Sequence, residues 1–263
     1  MKTELSDNET RVIEGIVTDL LVASEWDDLL DKISKHCRVG TAAAGGDAMQ
    51  AGSYGPIPPA PGIMGCGEYD DYFVCLVGQQ VLWGGISGAN KLPVGKNIKA
   101  VVEEHDDVLV ARGMISEDTG LAWLRHVRGG TAERKNNFKV AWWWFCCAMV
   151  FEIPFVLLQD VDFGIGKLRV LGWGTLATGA LCLWFAIWDS INLNGIADET
   201  TEILRQLGFA DPEHVNLGGY LYKYRNFHEV MHGVEQFCNL NDVYCYQQAV
   251  KDGKLKLADP AER

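Results

Sequence analysis

The chain has 263 residues, with 23 Lys+Arg against 35 Asp+Glu and a formal net charge of −12. This acidic balance, shared by both halves, argues against a nucleic-acid binder, which needs basic residues to neutralise phosphates. The length suits one large or two small domains with a real core, and the composition excludes a collagenous or wholly disordered chain.

Residues 1–10 are polar and acidic and show no positive region followed by an apolar stretch, so no signal peptide is expected. The eight cysteines form no CxxC pair, and Cys146, Cys147 and Cys182 fall inside apolar runs. A reducing, cytoplasmic setting for the soluble parts follows. The first 37 residues admit two readings. Val12, Ile13, Ile16, Val17, Leu20, Leu21, Leu29, Leu30 and Ile33 fit a helical stripe, while residues 12–17 also suit a strand. Residues 39–67 hold half of the eight prolines and many glycines and read as a long loop.

Residues 70–124 read as short strands. Residues 72–77 and 81–85 form a hairpin about Gly78-Gln79-Gln80, and residues 98–102 and 108–112 form a second pair. A compact antiparallel barrel or small sandwich is the economical arrangement. The acidic cluster at 103–107 (EEHDD) is expected at a solvated hairpin tip rather than around a metal, because consecutive turn residues do not converge on one point.

Hydrophobicity is concentrated between 140 and 188. Residues 140–158 carry one charge, Glu152, and residues 170–188 carry none; each run reaches the length that crosses a hydrocarbon core of about 30 Å. Trp142, Trp143, Trp144, Trp173, Trp184 and Trp188 lie mostly near the segment ends, where indoles favour the interface. A short connection makes the two runs a transmembrane hairpin. Arg125, Arg128, Arg134, Lys135 and Lys139 precede it, against Lys167 and Arg169 in the connection. That asymmetry places both flanking regions, and so the N and C termini, in the cytoplasm. Within the hairpin Glu152 is a carboxylate at membrane depth, costing roughly 2–3 kcal/mol unless paired, protonated or facing water. Pro154 removes a helix hydrogen bond and is expected to kink the span. Gly174/Thr178 and Thr175/Gly179 are small-residue pairs that permit close helix contact.

After the hairpin, residues 198–207 read as a helix capped by Asp198 and ended by Gly208, with Pro212 confirming the break. The succession GIMGCGEYDDYFVCLVGQQVLWGGI, LPVGKNIKAVVEEHDDVLVARGMISEDTGLAWL, the basic RHVRGGTAERKNNF, two apolar spans and TEILRQLGFADPEHVNL is ordered over roughly residues 65–217. It resembles a family of two-span bacterial membrane proteins identified as candidate type VI secretion system effectors. The chain departs from that family where Leu124-Arg125 and Gly129-Gly130-Thr131 replace its usual proline and paired basic residues. The resemblance implies a bacterial inner-membrane protein and a strand over residues 12–17, and it brings no catalytic residues to assign.

Beyond the resemblance, a longer helix is expected over 220–238, with Tyr220, Tyr224, Phe227, Met231, Val234 and Cys238 as its apolar stripe. It contains His228-Glu229-Val230-Met231-His232, the HExxH pattern in which two histidines one turn apart bind zinc and the glutamate activates water. Glu235 stands where the extended motif needs a turn glycine, and three ligands on one straight helix close poorly around a metal. A structural helix border is therefore the preferred reading, with no cofactor expected; zinc enters only under a peptidase alternative.

The sequence thus describes an α+β membrane protein. Its expected parts are an N-terminal segment and loop (1–69), a β-rich cytoplasmic domain with a basic juxtamembrane stretch (70–139), a two-helix transmembrane hairpin (140–188) and a C-terminal helical cytoplasmic region (189–263). Its first functional reading is an effector-like protein of bacterial competition that permeabilises membranes, with Glu152 and Pro154 shaping the path. The alternatives are a non-enzymatic anchor, accessory or immunity protein, and the membrane-anchored peptidase. The expected partners are the lipid bilayer, further copies of the chain and a secretion-apparatus or immunity protein.

Overall fold

The computed structural model describes residues 10–43, 71–105, 108–158, 166–225 and 237–258. It is an α+β structure built on one eight-stranded sheet, part of which closes on itself. The strands are β1 (Thr10–Ala23), β2 (Asp71–Val77), β3 (Gln80–Ile86), β4 (Asn97–His105), β5 (Val108–Ser116), β6 (Leu121–Leu124), β7 (Leu221–Arg225) and β8 (Phe237–Tyr244). The helices are α1 (Trp26–Ala43), α2 (Gly130–Leu158), α3 (Lys167–Asn192), α4 (Asn194–Leu207) and α5 (Tyr246–Lys251).

β1 pairs antiparallel with β2 and β4, β2 with β3, and β4 with β5. A short parallel pairing, Leu82↔Leu109 and Trp83↔Val110, joins β3 to β5 and closes the ring. The order β1-β2-β3-β5-β4 is that of an OB-type five-stranded Greek-key barrel. Beyond its pairing with β3, β5 continues along β6, which pairs with β8, and β8 with β7. The barrel expected from residues 70–124 is therefore present. Its central strand, however, comes from the segment expected to stand outside it, and the region after the hairpin extends its sheet.

The first 37 residues are a strand and then a helix. The β1–β2 register shifts between Val17 and Asp19. Ile13 and Val17 point into the barrel before this irregularity, and Leu20 and Val22 after it, while Leu21 and Ala23 pack under α1. An extra residue in one strand inverts the alternation of faces. It also produces the helix-like spacing that left the segment ambiguous. β5 repeats the device: the register shift against Val101/Val102 leaves Arg112 as the additional residue, and both Leu109 and Met114 face inward.

Several strands are buried on both faces, so they read as unbroken apolar runs. Phe73, Cys75, Leu82, Ile98, Ala100 and Trp123 fill the barrel. Burial beside Asp19 pushes the Cys75 thiol up to about 12. On one outer face α1 lays Leu29 and Trp26 against Val74, Trp83 and Val110. On another, Leu204 and Leu207 of α4 meet Val101, Ile115 and Leu124, and the C-terminal Tyr246, Ala249 and Leu255 complete that layer.

Other expectations change in detail. Glu103, Glu104 and His105 lie within β4, and Glu103 is ion-paired to Arg112, so the acidic cluster is not wholly a hairpin tip. α1 continues to Ala43, into the expected loop. α4 begins at Asn194, so Asp198 lies inside the helix and does not cap it; Gly208 ends it in the left-handed conformation at φ 100°. The helix expected over 220–238 begins and ends instead in strands, β7 and β8, and residues 226–236 between them lie outside the described residues. The region after the hairpin is consequently mixed and not purely helical.

Phe73 lies over Gly84 across the β2–β3 pair, where an added Cβ would stand 2.4 Å from the ring. Gly84→Ala is expected to destabilise the folded domain by about 1–3 kcal/mol through overpacking. Thermal unfolding of the detergent-solubilised protein followed by circular dichroism checks this.

Candidate functional site

α2 and α3 pack against each other and leave the sheet domain as a helical hairpin. The side chains that line their contact are small on α3 and long on α2. Gly179 leaves room for the Phe145 ring, to which a Cβ there would come within 3.5 Å. The Thr175 hydroxyl lies 3.6 Å from the Met149 sulfur. One turn further along α2, the Glu152 carboxylate reaches across to α3. The Thr178 hydroxyl donates to its Oε2 at 3.3 Å, and its Oε1 occupies the space that a Cβ on Gly174 would fill, at 1.9 Å. Thus the Glu152 carboxylate and the small-residue pairs, separate features in the sequence, form one constellation. The missing side chain at Gly174 admits the carboxylate, and Thr178 supplies a hydroxyl that satisfies either of its protonation states.

Pro154 lies inside α2, which runs on to Leu158. Having no N–H, it leaves the Val150 carbonyl without its usual helical donor. Outside this contact the hairpin is unburied: only 6% of the apolar window of either helix is covered by the rest of the structure. Trp142, Trp143, Trp144, Phe155, Leu158 and Trp173 are all more than half exposed.

The five basic residues sit where the hairpin joins the sheet domain. Arg125 and Arg128 belong to the linker after β6, and Arg134, Lys135 and Lys139 to the first turns of α2. Arg128 and Arg134 make contacts within the junction. Arg128 pairs with Glu133 at 3.2 Å, and Arg134 donates to the Asn194 side chain at 3.2 Å. The Gly130 amide donates to the Thr201 hydroxyl at 3.0 Å, and the Gly129 amide to the Val215 carbonyl at 3.0 Å. A small cavity of about 170 Å³ opens at this junction, lined by Arg125, His126, Arg128, Glu133 and Ile196 among others. Partial burial and the adjacent Arg125 hold the His126 imidazole below its ordinary value.

His228, Glu229 and His232 lie outside the described residues. Among the described residues no group of three or more His, Cys, Asp and Glu is placed to hold a metal ion. Asn137 and Asp189, at the sheet-domain end of the hairpin, went unnoticed in the sequence. The available signal was their polarity at the margins of two apolar runs.

The architecture is that of an OB-type barrel carrying an apolar two-helix hairpin. Comparison with protein-family models, curated proteins and solved structures gives no significant match.

A double-mutant cycle of Glu152→Gln and Thr178→Val is expected to show a coupling of about 0.6–2 kcal/mol in hairpin stability, the range for interhelical hydrogen bonds in membranes. Steric-trap or thermal unfolding in bilayer-mimetic discs provides the measurement. A histidine whose folded value lies below its unfolded value binds fewer protons when folded, so stability falls as pH drops below about 6.5. His126→Gln is expected to flatten that limb of the stability–pH profile.

Proposed function

We propose that this chain is a two-span integral protein of the bacterial inner membrane, acting non-enzymatically on or from the bilayer in bacterial competition, as its resemblance to candidate type VI secretion effectors implies. The observation that carries the membrane assignment is the hairpin itself. Two helices of 29 and 26 residues expose tryptophan, phenylalanine and leucine that the sheet domain leaves uncovered. Bilayer lipid is the natural solvent for that surface.

The sheet supports the double crossing. β6 precedes the hairpin and β8 follows it, yet they pair, which supports a reading in which both flanking segments lie on one side. The basic residues at the junction outnumber those of the far connection, which supports assigning that side to the cytoplasm. In the effector reading the hairpin assembles with further copies, and rupture of the Glu152–Thr178 contact exposes a carboxylate to an ion path.

A second reading has its own observation. Glu152 is already hydrogen-bonded within one hairpin and needs no further copy to satisfy it. This favours an anchor, accessory or immunity role, in which the hairpin holds the sheet domain at the membrane for a secretion-apparatus or effector partner.

A membrane-potential dye in bacteria expressing the chain from a tight promoter separates the two. Rapid depolarisation that Glu152→Gln abolishes is the expected result for a permeabilising hairpin. Unchanged potential and growth, with the protein recovered in the inner membrane, assigns the anchor or immunity role instead.

A further inference from the structure

A groove of about 470 Å³ runs between α2 and α3 on the sheet-domain side of Glu152, and Thr178, the donor to Glu152, is part of its lining. Its walls are Ala141, Trp144, Ala148, Cys182 and Phe185, and its mouth, at the sheet-domain end, carries Asn137 and Asp189. From Asn137 to Ala148, α2 rises about 16 Å at 1.5 Å per residue. That is about half of a 30 Å hydrocarbon core, the depth of one leaflet. The groove is therefore polar at headgroup level and apolar for the remainder of one leaflet.

We propose that this groove binds one phospholipid bearing an ammonium headgroup, with its acyl chain along Ala141, Trp144 and Ala148 and its headgroup at Asp189. The proposal rests on the membrane-spanning reading above. Two features of the mouth select the headgroup. Asp189 presents an exposed carboxylate with which no cation pairs among the described residues, a complement to a primary ammonium. The Asn137 Nδ2 atom is shielded from solvent and lacks an acceptor among the described residues, and a lipid ester carbonyl or phosphate oxygen provides one. The lining selects the chain. The lining combines small residues, Ala141, Ala148 and Cys182, with the Trp144 and Phe185 rings, an apolar surface that suits an acyl chain. The glycines and threonines that permit close helix approach are already spent on the α2–α3 contact.

The test reconstitutes the full chain into vesicles of equal phosphatidylethanolamine and phosphatidylglycerol, releases it gently, and counts retained lipid by native mass spectrometry. The wild type is expected to keep one phosphatidylethanolamine. Ala148→Phe, which fills the groove, loses it, and Asp189→Asn loses the preference for phosphatidylethanolamine over phosphatidylglycerol. Equal retention by wild type and Ala148→Phe, in protein that resists carbonate extraction, overturns the lipid site while leaving the membrane reading intact. A dimer cross-linked through Cys182 with no retained lipid overturns it in favour of a second copy. Release of the wild type by carbonate overturns both readings together.

Discussion

The sheet domain and the hairpin are held to one another by backbone pressed on backbone at Gly129. A Cβ at this position would stand 1.9 Å from the Pro212 carbonyl oxygen. Only a residue without a side chain lets the linker lie against the 3-10 turn at 212–214. Once it lies there, the rest of the junction follows. Arg128 bridges to Asn216, Leu217 donates to the Val127 carbonyl, and the start of α2 docks on Thr201 of α4. α4 is itself fixed to the barrel by Leu204 and Leu207, so the direction in which α2 leaves is set by the packing of the domain behind it. A flexible linker would place no such constraint on the hairpin.

Inside the hairpin the same logic operates with polar groups. A carboxylate facing lipid is costly, and the cost falls when it is turned toward a neighbouring helix with a donor at hand. Gly174 supplies the space and Thr178 the donor, so Glu152 sits between the helices rather than on their outer surface. The residues exposed outward are aromatic and aliphatic, Trp142, Trp143, Trp144, Trp173, Trp184 and Trp188 among them. A side chain that is expensive in isolation thus becomes part of the packing that sets the helix-to-helix distance.

Much of the barrel was legible in the sequence because β2 to β5 alternate or run apolar between glycine turns, and Gly78 does take a left-handed conformation, at φ 61°. β1 was not, because the irregularity near Thr18 shifts its inward positions from Ile13 and Val17 to Leu20 and Val22, a spacing that a helix also satisfies. The region from 220 misled for the opposite reason. Its spacing of aromatic residues fits a helical stripe, but pairing of β8 with β6 and β7 overrides that local pattern. Tertiary pairing across the hairpin has no local trace. The Glu152 site was legible as ingredients only, since a helix register across two spans is not written in either one. The junction was hidden further still, because Gly129 and Gly130 read as a departure from a resemblance and not as a steric requirement.

The sheet has one seam that the order of synthesis leaves open. β6 emerges before the hairpin and pairs with β8, which is made only after both apolar helices. Until then Trp123 and Ala122 sit on a strand with a vacant edge, and the layer over Val101 and Ile115 lacks α4. An unpaired strand edge is a template for aberrant association. The domain therefore reaches its protected state only when both apolar helices have been made and the chain has returned to the sheet. A chain that stops short of β8 is left with an open, adhesive edge along β6.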